Sequence, residues 1–321
     1  MSSNYPNGFA NGVTIRGVPL LQTHPGEVFW VNNSSVLAKG GVGGSDGNDG
    51  SYRRPFSTLD YAIGKCTASR GDIIAVMPGH AETIATDGGV TLDKAGVAVV
   101  GLGVGSLRPT FTMSVVASAV VISAANVSIS NLKFVTGVDV STNCIDITAA
   151  NAAIENCHFS ESAGDMCWLD VISATGGTDN DCDGLRVTDC VYTSIDDSAN
   201  NFIALTSDVD EMFIADNFVC MTHANALKLI DVATGKTMTN MQIHRNILDQ
   251  RARTDTSGEG SIIGGSTATD NTGVMTHNLI SNVDTAGQVI EDATGINKHE
   301  NYVTGAITVQ GVLYPVAETV D

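Results

Sequence analysis

The sequence predicts an all-β fold built as a solenoid of stacked strand coils, and three observations predict it. The first is an internal repeat. Val127-Ser-Ile129-Ser-Asn131-Leu132-Lys-Phe134 returns as Ile154-Glu-Asn156-Cys157-His-Phe159, Val187-Thr-Asp189-Cys190-Val-Tyr192 and Ile214-Ala-Asp216-Asn217-Phe-Val219. Three further copies end at Leu248, Ile280 and Val303, the last without its leading apolar residue. Anchored on Leu132, Cys157, Cys190, Asn217, Asn246, Asn278 and Asn301, the intervals are 25, 33, 27, 29, 32 and 23 residues, a drifting period in the solenoid range. The second observation is composition: 34 glycines, 5% aromatics and 43% hydrophobic residues suit narrow β coils better than long helices. The third is alternation. Period 2 sends Val127 and Ile129 inward, and a corner at Ser130-Asn131 resets the phase so that Leu132 and Phe134 also point inward.

The first 35 residues carry no repeat. Asn4-Tyr-Pro-Asn-Gly-Phe9 and His24-Pro-Gly26 are turn signals, and Val13-Thr-Ile15 and Val28-Phe-Trp-Val31 are strand candidates. Phe9, Val28, Phe29 and Trp30 are the candidate apolar anchors of an extended N-terminal arm, a segment that either folds against the body or docks onto a partner. Gly40–Gly50 reads as a flexible connector, too poor in apolar residues to pack. Ser57 or Thr58 then caps a short helix whose apolar face is Leu59, Ala62 and Ile63. Gly71-Asp-Ile73-Ile74-Ala-Val76-Met-Pro-Gly79-His80 reads as a buried strand running into a turn. From about Gly44 to Ile84 this order of glycine-rich turn, Pro55-Phe56 with Thr58-Leu59 in the cap helix, and Gly-Asp-x-Ile strand resembles the opening of the pectate-lyase-like superfamily. Ser57 stands where that motif often has a bulkier or basic residue. The resemblance implies a single-stranded right-handed parallel β-helix and identifies fold, not activity.

Val90–Leu92 and Val97–Gly103 form one further rung. From Ala119 each coil has a first apolar strand, namely Val120–Ile122, Ile145–Ile147, Leu169–Val171, Phe202–Leu205, Leu227–Leu229, Ile262-Ile263 and Val289-Ile290. A turn of variable length and the anchor strand follow. About nine or ten coils are expected, with the anchor asparagines repeating amide hydrogen bonds up the stack. Length variation falls at Ala174–Asp183, Ser194–Asn201 and Arg251–Gly260, where function most often lives. Residues 306–321, from Ala306-Ile-Thr-Val309 to Val312-Leu-Tyr314, read as a closing strand or hairpin. The domains predicted are thus 1–50 arm and linker, 51–305 β-helix, and 306–321 cap.

A net charge of −19 repels a phosphate backbone and argues against a nucleic-acid partner. The seven cysteines are odd in number and lack a CxxC pair, so neither a disulfide framework nor a zinc site is expected. Cys157 and Cys190 share a repeat position and read as stacked interior residues. There is no signal-peptide pattern and no apolar run of membrane-spanning length, so the expectation is synthesis in a cytoplasm with no membrane partner.

Chemical motifs are sparse. Asp179-Asn-Asp181-Cys-Asp183-Gly184 begins like a calcium loop, but Cys190 takes the place of the bidentate Glu and a strand takes that of the helix. A solvated acidic turn is the better reading, with Asp179, Asp181 and Asp183 as a weak calcium candidate and no cofactor otherwise expected. Asp196-Asp197 and Glu291-Asp292 are adjacent acids of the kind glycoside hydrolysis needs. The Asn-Thr-Asp, Gly-His-Gly and Arg-Ile-Lys motifs of polygalacturonase-like members are missing. His158, His244, His277 and His299 lie beside the anchors and read as a polar outer face.

The extended start, glycine linker, cap helix and acidic coils together resemble short β-helix proteins of tailed-bacteriophage particles. That resemblance implies a non-enzymatic virion protein, made in the host cytoplasm. The specific expectation is a homotrimeric capsid decoration protein attached through its arm to capsid or tail proteins. The alternative is a tailspike-like β-helix that binds or depolymerises polysaccharide as a lyase or glycosidase.

Overall fold

The computed structural model describes residues 26–33, 40–86, 88–163, 166–177, 181–195, 201–221, 227–250, 260–264, 270–283, 295–305 and 311–313, with the short strands Thr14–Ile15 and Val18–Pro19. It is a parallel β-helix with three sheets along its length. The first holds ten strands from Val28–Val31 to Ile296–His299, and the third seven from Val90–Leu92 to Gly260–Gly264. The second sheet also has ten strands. It starts at Ala81–Ile84 and closes with Gly311–Leu313, which pairs antiparallel to Asn301–Gly305 as the hairpin reading expected. From Ile73–Val76 to Gly260–Gly264 each coil runs through the sheets in that order, for example Ser128–Ser130, Lys133–Thr136 and Ser141–Ile147.

The corner between the first and second sheets is set by one residue per coil. Asn131, Asn156, Asp189, Asp216, Arg245, His277 and Glu300, each just before an anchor, all have positive φ between 49° and 59°. A left-handed residue turns the chain sharply enough to put residues on both sides of the corner inside, and Asn and Asp tolerate it best among non-glycine residues. Val127, Ile129, Leu132 and Phe134 are accordingly all buried. Phe111, Phe134 and Phe159 stack along the interior at centroid spacings of 5.9 and 5.5 Å.

Behind that corner runs a ladder. The Nδ2 groups of Asn217, Asn246, Asn278 and Asn301 donate to the carbonyls of Val187, Ile214, Ile243 and Met275 in the preceding coil, at 2.9–3.0 Å. Each Oδ1 accepts the backbone N–H of the previous anchor, from Cys190 through Asn278. Cys157 and Cys190 hold the same place, their thiols aimed at the equivalent carbonyls of Ile129 and Ile154 at 3.9 and 3.6 Å. Cysteine here is a weak donor in an amide's position. Leu132 is buried in the same column but has no donor to offer.

Three expectations are corrected at the N-terminal end. Val28–Val31 is the first strand of the first sheet, in parallel register with Ile73–Val76, so it belongs to the body and not to an arm. Phe29 turns inward onto Phe56, with centroids 5.9 Å apart, because alternation puts Phe29 and Val31 on the core side. The glycine stretch is not a flexible connector. Val42, Ser45 and Gly50 donate backbone hydrogen bonds to Arg53, Pro55 and Arg54, and Gly50 accepts one from Trp30. A Cβ on Gly44 would lie 1.6 Å from the Asn32 carbonyl oxygen, so glycine is there for close backbone approach.

The helix Leu59–Lys65 buries Leu59, Ala62 and Ile63 as predicted. Its start is capped from a distance. Thr58 makes no side-chain cap bond of its own type; instead the Asp46 carboxylate accepts the Ser57 and Thr58 N–H groups and the Thr58 hydroxyl, and Glu82 accepts the Leu59 N–H. Beside it, buried Asp72 accepts the Glu27 and Thr67 N–H groups and a two-point contact from Arg70. Burial alone would raise the Asp72 carboxyl, but these hydrogen bonds and the guanidinium charge outweigh it and bring it down to about 2.

Candidate functional site

Two surfaces carry chemistry that the coil itself does not need. The first is the N-terminal outer face. Val28 and Trp30 point outward from the opening strand, and Trp30 packs edge-on over Tyr52 with centroids 4.9 Å apart. Val28, Tyr52 and nearby Val42 are each about half exposed, at 47%, 49% and 50%. In-register pairing continues this face across successive coils. Val28, Ile73, Ala98, Ser128 and Ala153 form one outward column, and Trp30, Ala75, Val100 and Ser130 its neighbour. No charge enters either column before Glu155 and Arg186. Of the four sequence-predicted anchors, the structure thus puts Val28 and Trp30 together on the outside and Phe29 inside. Phe9 lies outside the described residues. Tyr52 was missed, and its pairing with Trp30 leaves no local sequence signal.

The second surface is the outer face of the third sheet, where Ser141–Ile147 and Trp168–Ala174 are the longest strands among the described residues. Register places Asn143, Asp170, Asn201 and Lys228 in one outward column, and Asp146, Ser173, Ala204 and Asp231 in the next. Asn201 Nδ2 donates to Asp170 Oδ1 at 2.8 Å and reaches Asp231 Oδ2 at 3.5 Å, so one amide bridges two carboxylates. Lys228 Nζ lies 2.7 Å from Asp231 Oδ1. Burial pushes the Asp170 carboxyl upward, the Asn201 hydrogen bond opposes that, and the negative charge of Asp231 adds to it. The arrangement is a carboxyl biased toward its protonated form, a second carboxylate beside a lysine, and a shared amide. Sequence reading took Leu169–Val171 and Leu227–Leu229 as apolar strands and saw no acidic cluster beside Lys228. The signal was a polar residue at the same register position in successive third-sheet strands.

Other candidates separate. Asp183 spends Oδ1 on the Asp210 N–H and Gly184 leads into the strand Arg186–Thr188, while Asp179 lies outside the described residues. Among the described residues no group of three or more His, Cys, Asp or Glu converges as a metal site. The histidines do not share one column. His158 faces out from the second sheet in register with Lys133, His244 bonds to Thr276, and His277 pairs with Glu300 at 2.7 Å. Asp196-Asp197, Glu291-Asp292 and the strand expected at Val289-Ile290 lie outside the described residues. All seven cysteines are buried and none is in a disulfide.

No family model matches the chain, and no curated protein does. Solved structures do. A rhamnogalacturonan lyase superposes with a TM-score of 0.59 at 13% identity, covering 87% of this chain and 74% of that one. The fold is a right-handed parallel β-helix. A pectin methylesterase in complex with a hexasaccharide gives 0.48 at 13% identity over 88% and 90% of the two chains. The tailspike protein of E. coli bacteriophage HK620, in complex with a pentasaccharide, gives 0.33 at 11% identity over 78% and 50%.

Proposed function

We propose that the chain is a non-enzymatic structural protein of a tailed-phage particle, a capsid decoration protein that docks through its N-terminal end. The observation that carries this reading is the N-terminal outer face. A chain of net charge −19 presents an uncharged, small-residue sheet surface running from Val28 and Trp30 over several coils. It begins at the opening strand Val28–Val31, which follows residues 1–25 in the sequence. At its start Val28, Val42 and Tyr52 are each about half exposed, and exposed apolar side chains gathered in one place mark protein–protein contact. The acidic remainder keeps neighbouring copies soluble and apart.

The test is co-sedimentation of the purified protein with decoration-free capsids of the phage that encodes it. Residues 2–25 are the segment to delete. A cut extending to residue 35 would remove the opening strand and the N–H of Glu27 that Asp72 holds, and would confuse unfolding with loss of docking. Loss of sedimentation on deleting 2–25, or in Trp30→Glu with the fold intact, is the expected outcome. Full binding by both variants contradicts the proposal.

A second reading is favoured by the third-sheet column. Asp170 and Asp231 joined by Asn201, with Lys228 alongside, have the make-up of a polysaccharide-processing site, in which one acid is raised and another stays charged. Incubation with the host's surface polysaccharide, followed by assay for new reducing or unsaturated ends, separates the two readings. Product that disappears in Asp170→Asn would establish the enzyme.

A further inference from the structure

The ladder changes chemistry along its length, and where it does so two cysteines stand on adjacent rungs. Cys157 and Cys190 are consecutive anchors. The strand pairs on either side of them, Ile154 with Val187 and His158 with Val191, keep the same offset, so the two cysteines face each other across one rung. A parallel pair holds Cα atoms about 4.8 Å apart, inside the roughly 4.4–6.8 Å window of disulfides. Both side chains point into the same interior column, each thiol reaching a carbonyl of the preceding coil, Ile129 for Cys157 and Ile154 for Cys190. Each follows a left-handed corner residue, Asn156 or Asp189, one residue in from the surface.

We propose that Cys157 and Cys190 are an oxidisable pair that closes a disulfide between successive coils. The oxidant is a peroxide, small enough to enter where a larger disulfide reagent is excluded by full burial. In the first step one thiol sulfur attacks a peroxide oxygen and the O–O bond breaks; the thiol becomes a sulfenic acid and hydrogen peroxide leaves as water. In the second step the other thiol displaces the sulfenic hydroxyl. The S–S bond forms, the second S–H proton departs with the hydroxyl as a second water, and the pair has lost two electrons to the peroxide. Burial holds the Cys190 thiol well above its ordinary pKa, so closure is slow while the coil is shut and faster when it breathes. The bond would tie the cysteine half of the ladder, where donors are weak, as the asparagine half is tied by amides. The other cysteines are the internal comparison.

The experiment treats the full-length folded protein with hydrogen peroxide, blocks remaining thiols with iodoacetamide under denaturing conditions, and maps peptides without reduction. The expected result is a loss of two hydrogens in mass, a single cross-linked peptide pair joining Cys157 to Cys190, and a higher unfolding midpoint that reductant reverses. Cys190→Ser should yield no cross-link and leave Cys157 as a sulfenic acid trappable by dimedone. Both thiols still free after oxidation of the folded protein, or a cross-link that pairs either with another cysteine, would overturn the proposal. So would conversion to sulfinic acid without a cross-link.

Discussion

Removing one amide from the ladder should cost far more than removing one side chain of its size. In Asn246→Ala the lost contacts are the two Nδ2 donations, to Ile214 O and Asn278 Oδ1 at 2.9 Å each, and the two acceptances from the Asn217 N–H and Nδ2 at 3.2 and 2.9 Å. Asn278 Oδ1 keeps the Asn246 N–H and Asn217 Nδ2 keeps Val187 O. One group is stranded in the interior, the Asn217 N–H, and the Ile214 carbonyl is left with its sheet bond alone. At about 1–3 kcal/mol for the unsatisfied N–H and about 0.5–1.5 kcal/mol for the bond lost at the carbonyl, the loss is about 2–4 kcal/mol. Asn246→Leu refills the volume but strands the same N–H and removes the same bond, so it should be nearly as damaging. Urea unfolding followed by circular dichroism measures both. If the leucine variant comes within about 1 kcal/mol of the parent, packing and not hydrogen bonding holds the coil, and the ladder argument fails.

Other outcomes follow from the same geometry. Cys190→Asn places an amide where the thiol now points at Ile154 O and should hold stability level or raise it, whereas Cys190→Ala should lower it; the two unfolding midpoints decide. Asp72 titrates near 2 in the folded chain against about 3.9 unfolded, so its contribution is complete above about pH 4 and vanishes as pH falls through 2. At about 1.4 kcal/mol per pH unit that is about 2–3 kcal/mol, which Asp72→Asn should forfeit at neutral pH and no longer forfeit at pH 2. Asp170 has the opposite sign. Its raised carboxyl costs stability once ionised, so Asp170→Asn should gain stability at pH 7, and the gain should fade as the pH drops below its folded pKa.

What could be read in advance depended on whether a residue's partner lies at a repeated spacing. The anchor column was legible because Asn217, Asn246, Asn278 and Asn301 recur beside the same alternation, and each bonds to its counterpart one coil away. The corner residues were legible for the same reason. Asp46 and Glu82 were not, since they cap the helix across 11–12 and 23 residues with no periodic cue. The third-sheet column was hidden by drift in coil length. Asp170 to Asn201 spans 31 residues and Asn201 to Lys228 spans 27, so only the pairing register aligns them. The glycines of 40–50 were misread because close backbone approach and flexibility use the same residue.

The proposal that this β-helix decorates a capsid is tested most directly by electron microscopy of decoration-free capsids incubated with the purified chain. The account predicts elongated density at repeated positions on the capsid lattice, standing on its N-terminal end, and absent with the 2–25 deletion. Density confined to the tail, or capsids left bare while the protein cleaves host polysaccharide, would contradict it.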